Sequence, residues 1–182
     1  APGKDEQFAE SYRALNSLMR VPALETPQGA LTQSLAIMEY LEETHPSPAI
    51  LPKDPIGRAR VRSLSLLVAC EIHPLNNLRA LGYVRKTLGQ DDDGGNAWYR
   101  HWIADGFGKL EAELARGAGR FCHGDSPTMA DCCLVPQVFN AQRYKCDLGP
   151  YPTAMRVFAE CMKMDAFDRA QPSKQPEAAT EA

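Results

Sequence analysis

Several polar side chains in this chain stand at spacings that suit a small anionic ligand. Thr32-Gln33-Ser34 opens a helical pattern whose first turn holds no Asp or Glu. Its backbone N–H groups and the positive end of its dipole are therefore open to an anion. Ser34 adds a hydroxyl donor, and the Gln33 amide can both donate and accept, a set that suits the carboxylate and ammonium of an amino acid. Plain N-capping explains the same spacing. Val21-Pro22 leads into an edge-like strand, and X–Pro bonds in general are trans. A cis bond there would turn the Val21 N–H and C=O outward, where an extended peptide could pair with them. His73-Pro74-Leu75-Asn76-Asn77-Leu78-Arg79 interrupts an apolar helical run with a polar cluster, in which Asn77 and Arg79 can reach one cleft. A structural histidine accounts for His73 as well. Arg143 closes an apolar helix and could clamp a carboxylate, or simply offset the helix dipole.

Other polar groups have a structural explanation. Thr128-Met129-Ala130-Asp131 has the spacing of a capping box with Asp in the place of Glu or Gln, so Asp131 is not counted among the site residues. The six cysteines include an adjacent pair, Cys132-Cys133, and four scattered ones with no C-x-x-C spacing. Zinc spacing is therefore missing and no metal is expected. Free thiols in a reducing cytoplasm are expected instead.

The elements that must position these residues follow from periodicity. Residues 7–15 suggest a short helix with Phe8, Tyr12 and Leu15 on one face, and Val21–Glu25 and Gly29–Leu31 suggest strands around a Pro27-Gln28 turn. A helix is expected over Ser34–Thr44, stopped by His45-Pro46-Ser47-Pro48. Beyond that proline-rich linker the chain reads as helical: one long pattern over 56–88 that Pro74 should kink or divide, a second over 94–116, and a third over 128–143. The third is apolar almost all round, which marks a central buried helix, and Gly117–Gly124 is a loop. The expected fold is mostly α, a partial thioredoxin-like α/β domain followed by an all-helical domain. Its expected parts are 1–47, 48–170 and a disordered tail over 171–182. At 182 residues and a net charge of −3, the chain does not read as a nucleic-acid or anionic-membrane binder. No window is apolar enough to span a bilayer.

Taken together, VPAL, TQSLAIMEYLEETHP, the IHPLNNLR run and GDSPTMADCCLVPQVFNAQRYKCDLGPYPT resemble the zeta class of glutathione transferases. The bacterial maleylacetoacetate and maleylpyruvate isomerases of that class are the most similar, over about residues 8–170. The resemblance implies glutathione as cofactor, a small dicarboxylate substrate and a cytoplasmic homodimer. It also implies a cis–trans isomerisation of maleyl to fumaryl compounds. Val21 would then pair through its backbone with the cysteinyl unit of glutathione, with Pro22 cis. Gln33 and Ser34 would hold its γ-glutamyl end, and His73, Asn77 and Arg79 would line the cleft from the helical side. Arg143, with Asn77, would meet a substrate carboxylate.

Two departures from the family pattern carry consequences. The family's thiol-activating Ser/Cys motif lies in a βαβ unit ahead of the segment that Val21 begins, and APGKDEQFAESYRALN does not match it, so no catalytic residue is assigned. Cys132 and Cys133, inside a buried helix, cannot substitute. Where relatives commonly have a glutamine that helps hold glutathione, this chain has Leu18, and Arg20 is the nearest cation that could compensate. The alternative expectation is a truncated, non-catalytic module that serves dimerisation or binding through an uncovered strand edge.

Overall fold

The computed structural model describes residues 5–176 and residue 178. The chain forms two compact units, one holding the chain up to Ala49 together with the stretch from Met164 onward, the other Ile50–Lys163. In the first unit a 3-10 turn, Glu6–Phe8, precedes helix α1 (Glu10–Leu15). The single helix expected over 7–15 is thus broken at Ala9, whose backbone is extended. Strands β1 (Ala23–Thr26) and β2 (Gly29–Thr32) pair antiparallel with Leu24 opposite Leu31, and among the described residues this hairpin is the whole sheet. β1 begins after Pro22 rather than at Val21, because proline has no N–H to give to a ladder. Thr26 locks the turn, its hydroxyl accepting from Gln28 N–H at 3.2 Å and donating to Gly29 O at 2.8 Å. Helix α2 (Ser34–Thr44) follows at once and stops at His45, next to Pro46.

The second unit is helical throughout. Asp54 caps α3 (Pro55–Leu66) by accepting from Gly57 N–H at 2.7 Å, with Pro55 in the first turn, where its missing N–H costs nothing. The long pattern over 56–88 does not kink at Pro74 itself. It widens into a π turn, Leu67–Ile72, just before it, continues as α4 (His73–Asn76) and breaks at Asn77, which caps α5 (Leu78–Lys86). Pro74 cannot donate to the turn before it and its ring crowds a carbonyl there, so the preceding turn opens. The wider turn shifts the buried face. Val68 and Ile72 enter the core, while Leu66 is 47% exposed.

Helix α6 (Asp92–Ala115) supplies the central apolar stripe, with Tyr99, Ile103, Phe107, Leu110 and Leu114 buried. Gly106 on the same helix backs onto Ile72, whose side chain would overlap any Cβ placed there. Helices α7 (Met129–Arg143) and α8 (Pro152–Met162) complete the unit. Glu111 of α6 caps α8 by accepting from the N–H groups of Thr153 and Ala154, both at 2.9 Å. The expectation that α7 is buried all round is corrected by the structure. Pro136, Phe139, Gln142 and Arg143 are exposed, and the buried side carries two polar residues, Asp131 and Gln137. Apolar content could not show this, because both polar groups are turned inward: Asp131 meets hydrogen-bond donors there, while the Gln137 amide nitrogen has no partner among the described residues.

The stretch from Met164 forms α9 (Asp165–Arg169) and a 3-10 turn at Pro172–Lys174. Of the tail expected to be disordered over 171–182, this turn is described, and residues 177 and 179–182 lie outside the described residues. Among the described residues, no helix is long and apolar enough to cross a membrane and no cluster of side chains could hold a metal ion.

Candidate functional site

The loop from Asn16 to Pro22 is built around one buried amide. Asn16 is 3% exposed; its Nδ2 donates to Arg20 O at 2.6 Å and its Oδ1 accepts from Leu18 N–H at 3.0 Å. The Tyr12 hydroxyl donates to the same Arg20 carbonyl at 2.6 Å, and Met19 adopts the left-handed region at φ 51°. These bonds fix the residue just ahead of Val21. The Val21–Pro22 bond is cis, as the resemblance implied and as X–Pro statistics alone did not, and Ser47–Pro48 is cis as well. Val21 is 75% exposed, and among the described residues nothing pairs with its N–H or its C=O.

On the same unit, α2 begins without a cap from any side chain. Gln33 stands at the N-cap position with φ 71° and ψ 116°, a region that L-residues seldom occupy, and makes no capping bond. The first turn contains no acid, and both Gln33 and Ser34 are exposed. The plain N-capping account therefore fails for this helix. What remains is a set of unpaired N–H donors, a hydroxyl and an amide at the positive end of an 11-residue helix.

The second unit carries the other residues singled out from sequence. His73 opens α4 with part of its ring facing solvent; burial of the rest lowers its pKa, and a hydrogen bond with Gln137 of α7 acts in the opposite direction. The imidazole is therefore neutral at pH 7. Asn77, four residues on, caps α5 through its Oδ1, which accepts from Arg79 N–H at 3.0 Å, leaving its Nδ2 free to donate. Among the described residues, no acid pairs with the exposed guanidinium of Arg79 or with that of Arg143, the last residue of α7. Leu18, in the first unit, is 48% exposed and offers no polar atom beyond its backbone.

Asp131 has the structural role its spacing predicted, and more. It is fully buried, and its carboxylate accepts from Thr128 N–H at 2.7 Å, Thr128 Oγ1 at 2.8 Å and Cys122 N–H at 2.9 Å. It thus closes the capping box and also ties the loop before α7 to the helix start. All six cysteines are free. Burial, followed by the nearby Asp131 charge, pushes the Cys132 thiol up to about 11. Burial, followed by Cys132, pushes Cys133 up to about 12. Neither is a thiolate at neutral pH, so neither can serve as a nucleophile there.

The structure brings Val21, Pro22, Gln33 and Ser34 into one compact unit and His73, Asn77, Arg79 and Arg143 into the other. Asn16, Gln137, Tyr99 and Tyr144 were not among the residues singled out from sequence. An asparagine ahead of a left-handed turn was the available signal for the first. Gln137, a polar residue inside an otherwise apolar run, was a signal of its own. The partnership of Tyr99 with Tyr144 had no local signal at all.

Two family models and several relatives match the chain. Residues 2–49 match the family model described as glutathione S-transferase, N-terminal domain, and residues 96–160 match that described as glutathione S-transferase, C-terminal domain. The maleylpyruvate isomerase of Ralstonia sp is 51% identical over 179 residues, which are 97% of this chain and 84% of that protein. A holo structure of maleylpyruvate isomerase, a bacterial zeta-class glutathione S-transferase, gives a TM-score of 0.92 at 51% identity and covers 96% of this chain and 84% of its own. Maleylacetoacetate isomerase from Methylobacterium extorquens AM1, solved with malonate and GSH bound, gives 0.90 at 38% identity over 95% and 82%.

Proposed function

The chain belongs to the zeta class of glutathione transferases, and from that premise we propose that it is a glutathione-dependent cis–trans isomerase of maleyl dicarboxylates. Maleylpyruvate and maleylacetoacetate fit the reading equally, since each presents a carboxylate to the same arginine. The observation that carries it is the exposed Val21, whose backbone is unpaired among the described residues, on the same unit as an uncapped, acid-free helix start. A peptide with an amino-acid head group fits that donor and acceptor set. Val21 would pair with its main chain as an added strand. Ser34, Gln33 and the first N–H groups of α2 would take the γ-glutamyl carboxylate and ammonium.

When bound, glutathione supplies the thiol that adds to the maleyl double bond and, once the resulting single bond has turned, leaves again to give the fumaryl product. This chain's residues bind and orient. Asn77 donates through the amide nitrogen that capping leaves free, and Arg79 brings an unpaired positive charge. Neutral His73 offers or accepts a hydrogen bond without adding charge. Arg143 meets a substrate carboxylate, where a planar guanidinium can make two parallel bonds. No side chain among the described residues is assigned to thiol activation, and the half-buried neighbouring cysteines Cys132 and Cys133 are excluded by their raised pKa values.

A homodimer in the cytoplasm is part of the same proposal. It is carried over from the family resemblance alone. Proton NMR of a maleyl substrate, with and without glutathione, tests the function. The expected result is trans product formed far faster with chain and glutathione together than with either alone, with glutathione unconsumed. Trans product at the glutathione-only rate would refute the proposal.

A further inference from the structure

Arg143 sits at the end of a helix, where chains fray because the last carbonyls lack partners. Here the end is closed twice over. Lys145 takes the left-handed region at φ 54°, its N–H donates to Gln142 O at 2.9 Å, and Cys146 N–H donates to Ala141 O at 3.0 Å. That pair of bonds is a Schellman closure with lysine in the place of the usual glycine. The second closure comes from α6. The ring of Tyr144 stacks on that of Tyr99, centroids 3.7 Å apart and planes 7° from parallel, and Arg100 Nε donates to Tyr144 O at 3.1 Å. Two consecutive residues of α6 thus hold one residue of the α7 terminus, by its ring and by its carbonyl. Tyr99 is 2% exposed, so the platform does not move with the surface. Arg143 directly precedes Tyr144, so this platform holds the backbone from which its side chain leaves.

We propose that Tyr144, held by Tyr99 and Arg100, is a positioning residue that fixes Arg143 for a substrate carboxylate, an inference that rests on the reading of Arg143 as the carboxylate clamp. An exposed arginine is rich in rotamers, and ordering it on binding costs affinity. Anchoring the backbone of the next residue leaves those rotamers free but keeps the helix end from fraying, so the point from which the side chain departs is fixed before the ligand arrives. A lone cation that only offsets the helix dipole would need no such anchor.

The test is calorimetric binding of maleate, a small cis dicarboxylate, to the full chain and to variants whose folding is checked by circular dichroism. Arg143→Ala is expected to weaken maleate at least ~10-fold, the size of a lost charge-assisted bond. Tyr144→Ala is expected to weaken it ~5-fold, as loss of one stacked ring pair would. Tyr144→Phe should restore it, since the stack needs no hydroxyl. In the Arg143→Ala background, Tyr144→Ala should change nothing further. Arg100→Met, which removes the carbonyl bond and leaves the stack, gives a second, smaller loss and decides the matter if Tyr144→Ala does not fold. Maleate binding that is absent in the unaltered chain, or unchanged in Arg143→Ala, overturns the clamp reading itself. A loss in Arg143→Ala with none in Tyr144→Ala or Arg100→Met, or losses that simply add in the double variant, overturns the positioning role alone.

Discussion

Replacing Gln33 with glycine should make the protein more stable and a poorer glutathione binder at once. Gln33 holds φ 71° and ψ 116° without a capping bond to compensate it. A non-glycine residue in such a region costs about 1–3 kcal/mol, and glycine adopts positive φ freely. Against that gain stands the extra freedom glycine gives the unfolded chain, worth roughly 0.5–1 kcal/mol. The net is about 1 kcal/mol in favour of Gln33→Gly, which for a chain of this size raises Tm by ~2–4 °C. Loss of the side-chain amide removes bonds to a charged ligand group, about 1.5–3 kcal/mol, or a ~10- to 100-fold rise in Kd. Differential scanning calorimetry without ligand and isothermal titration with glutathione read the two effects separately. The opposition of sign is the diagnostic part, because a residue with only a structural role would not produce it. A lower Tm in the variant refutes the strain argument, and an unchanged Kd refutes the assignment of Gln33 to the ligand.

Two other perturbations follow from the buried groups. Asp131→Asn should lower stability by about 2–3 kcal/mol in chemical denaturation, since one oxygen becomes an amide that cannot accept from Thr128 or Cys122; a change below ~0.5 kcal/mol contradicts its role in tying the loop to α7. In a thiol-reagent titration of the native chain at pH 8, exposed Cys70 should react first while Cys132 and Cys133, raised to about 11 and about 12, stay silent. Early labelling of either would show that α7 opens far more readily than its packing implies.

Much of the fold was legible because its signals are local. The bounds of α2 follow from an acid-free start and a proline-rich stop, and the hairpin follows from alternation around Pro27-Gln28. The capping box at Thr128–Asp131 needed only residue types three apart. The site was legible in parts: the residues of the Gln33-Ser34 segment could be named, but the unusual backbone of Gln33 could not, since dihedral angles follow from the surrounding hairpin rather than from residue type. The π turn at Leu67–Ile72 escaped because Pro74 acts on the turn before it, and the shift it causes exposes Leu66 and buries Ile72. Tyr99 escaped for another reason. Its stacking partner lies 45 positions away in the sequence, beyond the reach of any periodic pattern.

The measurement that bears most directly on the account is an amide NMR titration of the labelled chain with glutathione. The account predicts saturable binding with the largest shifts at Val21, Ser34 and the first turn of α2. Millimolar glutathione that moves none of these amides, or moves only others, would contradict it.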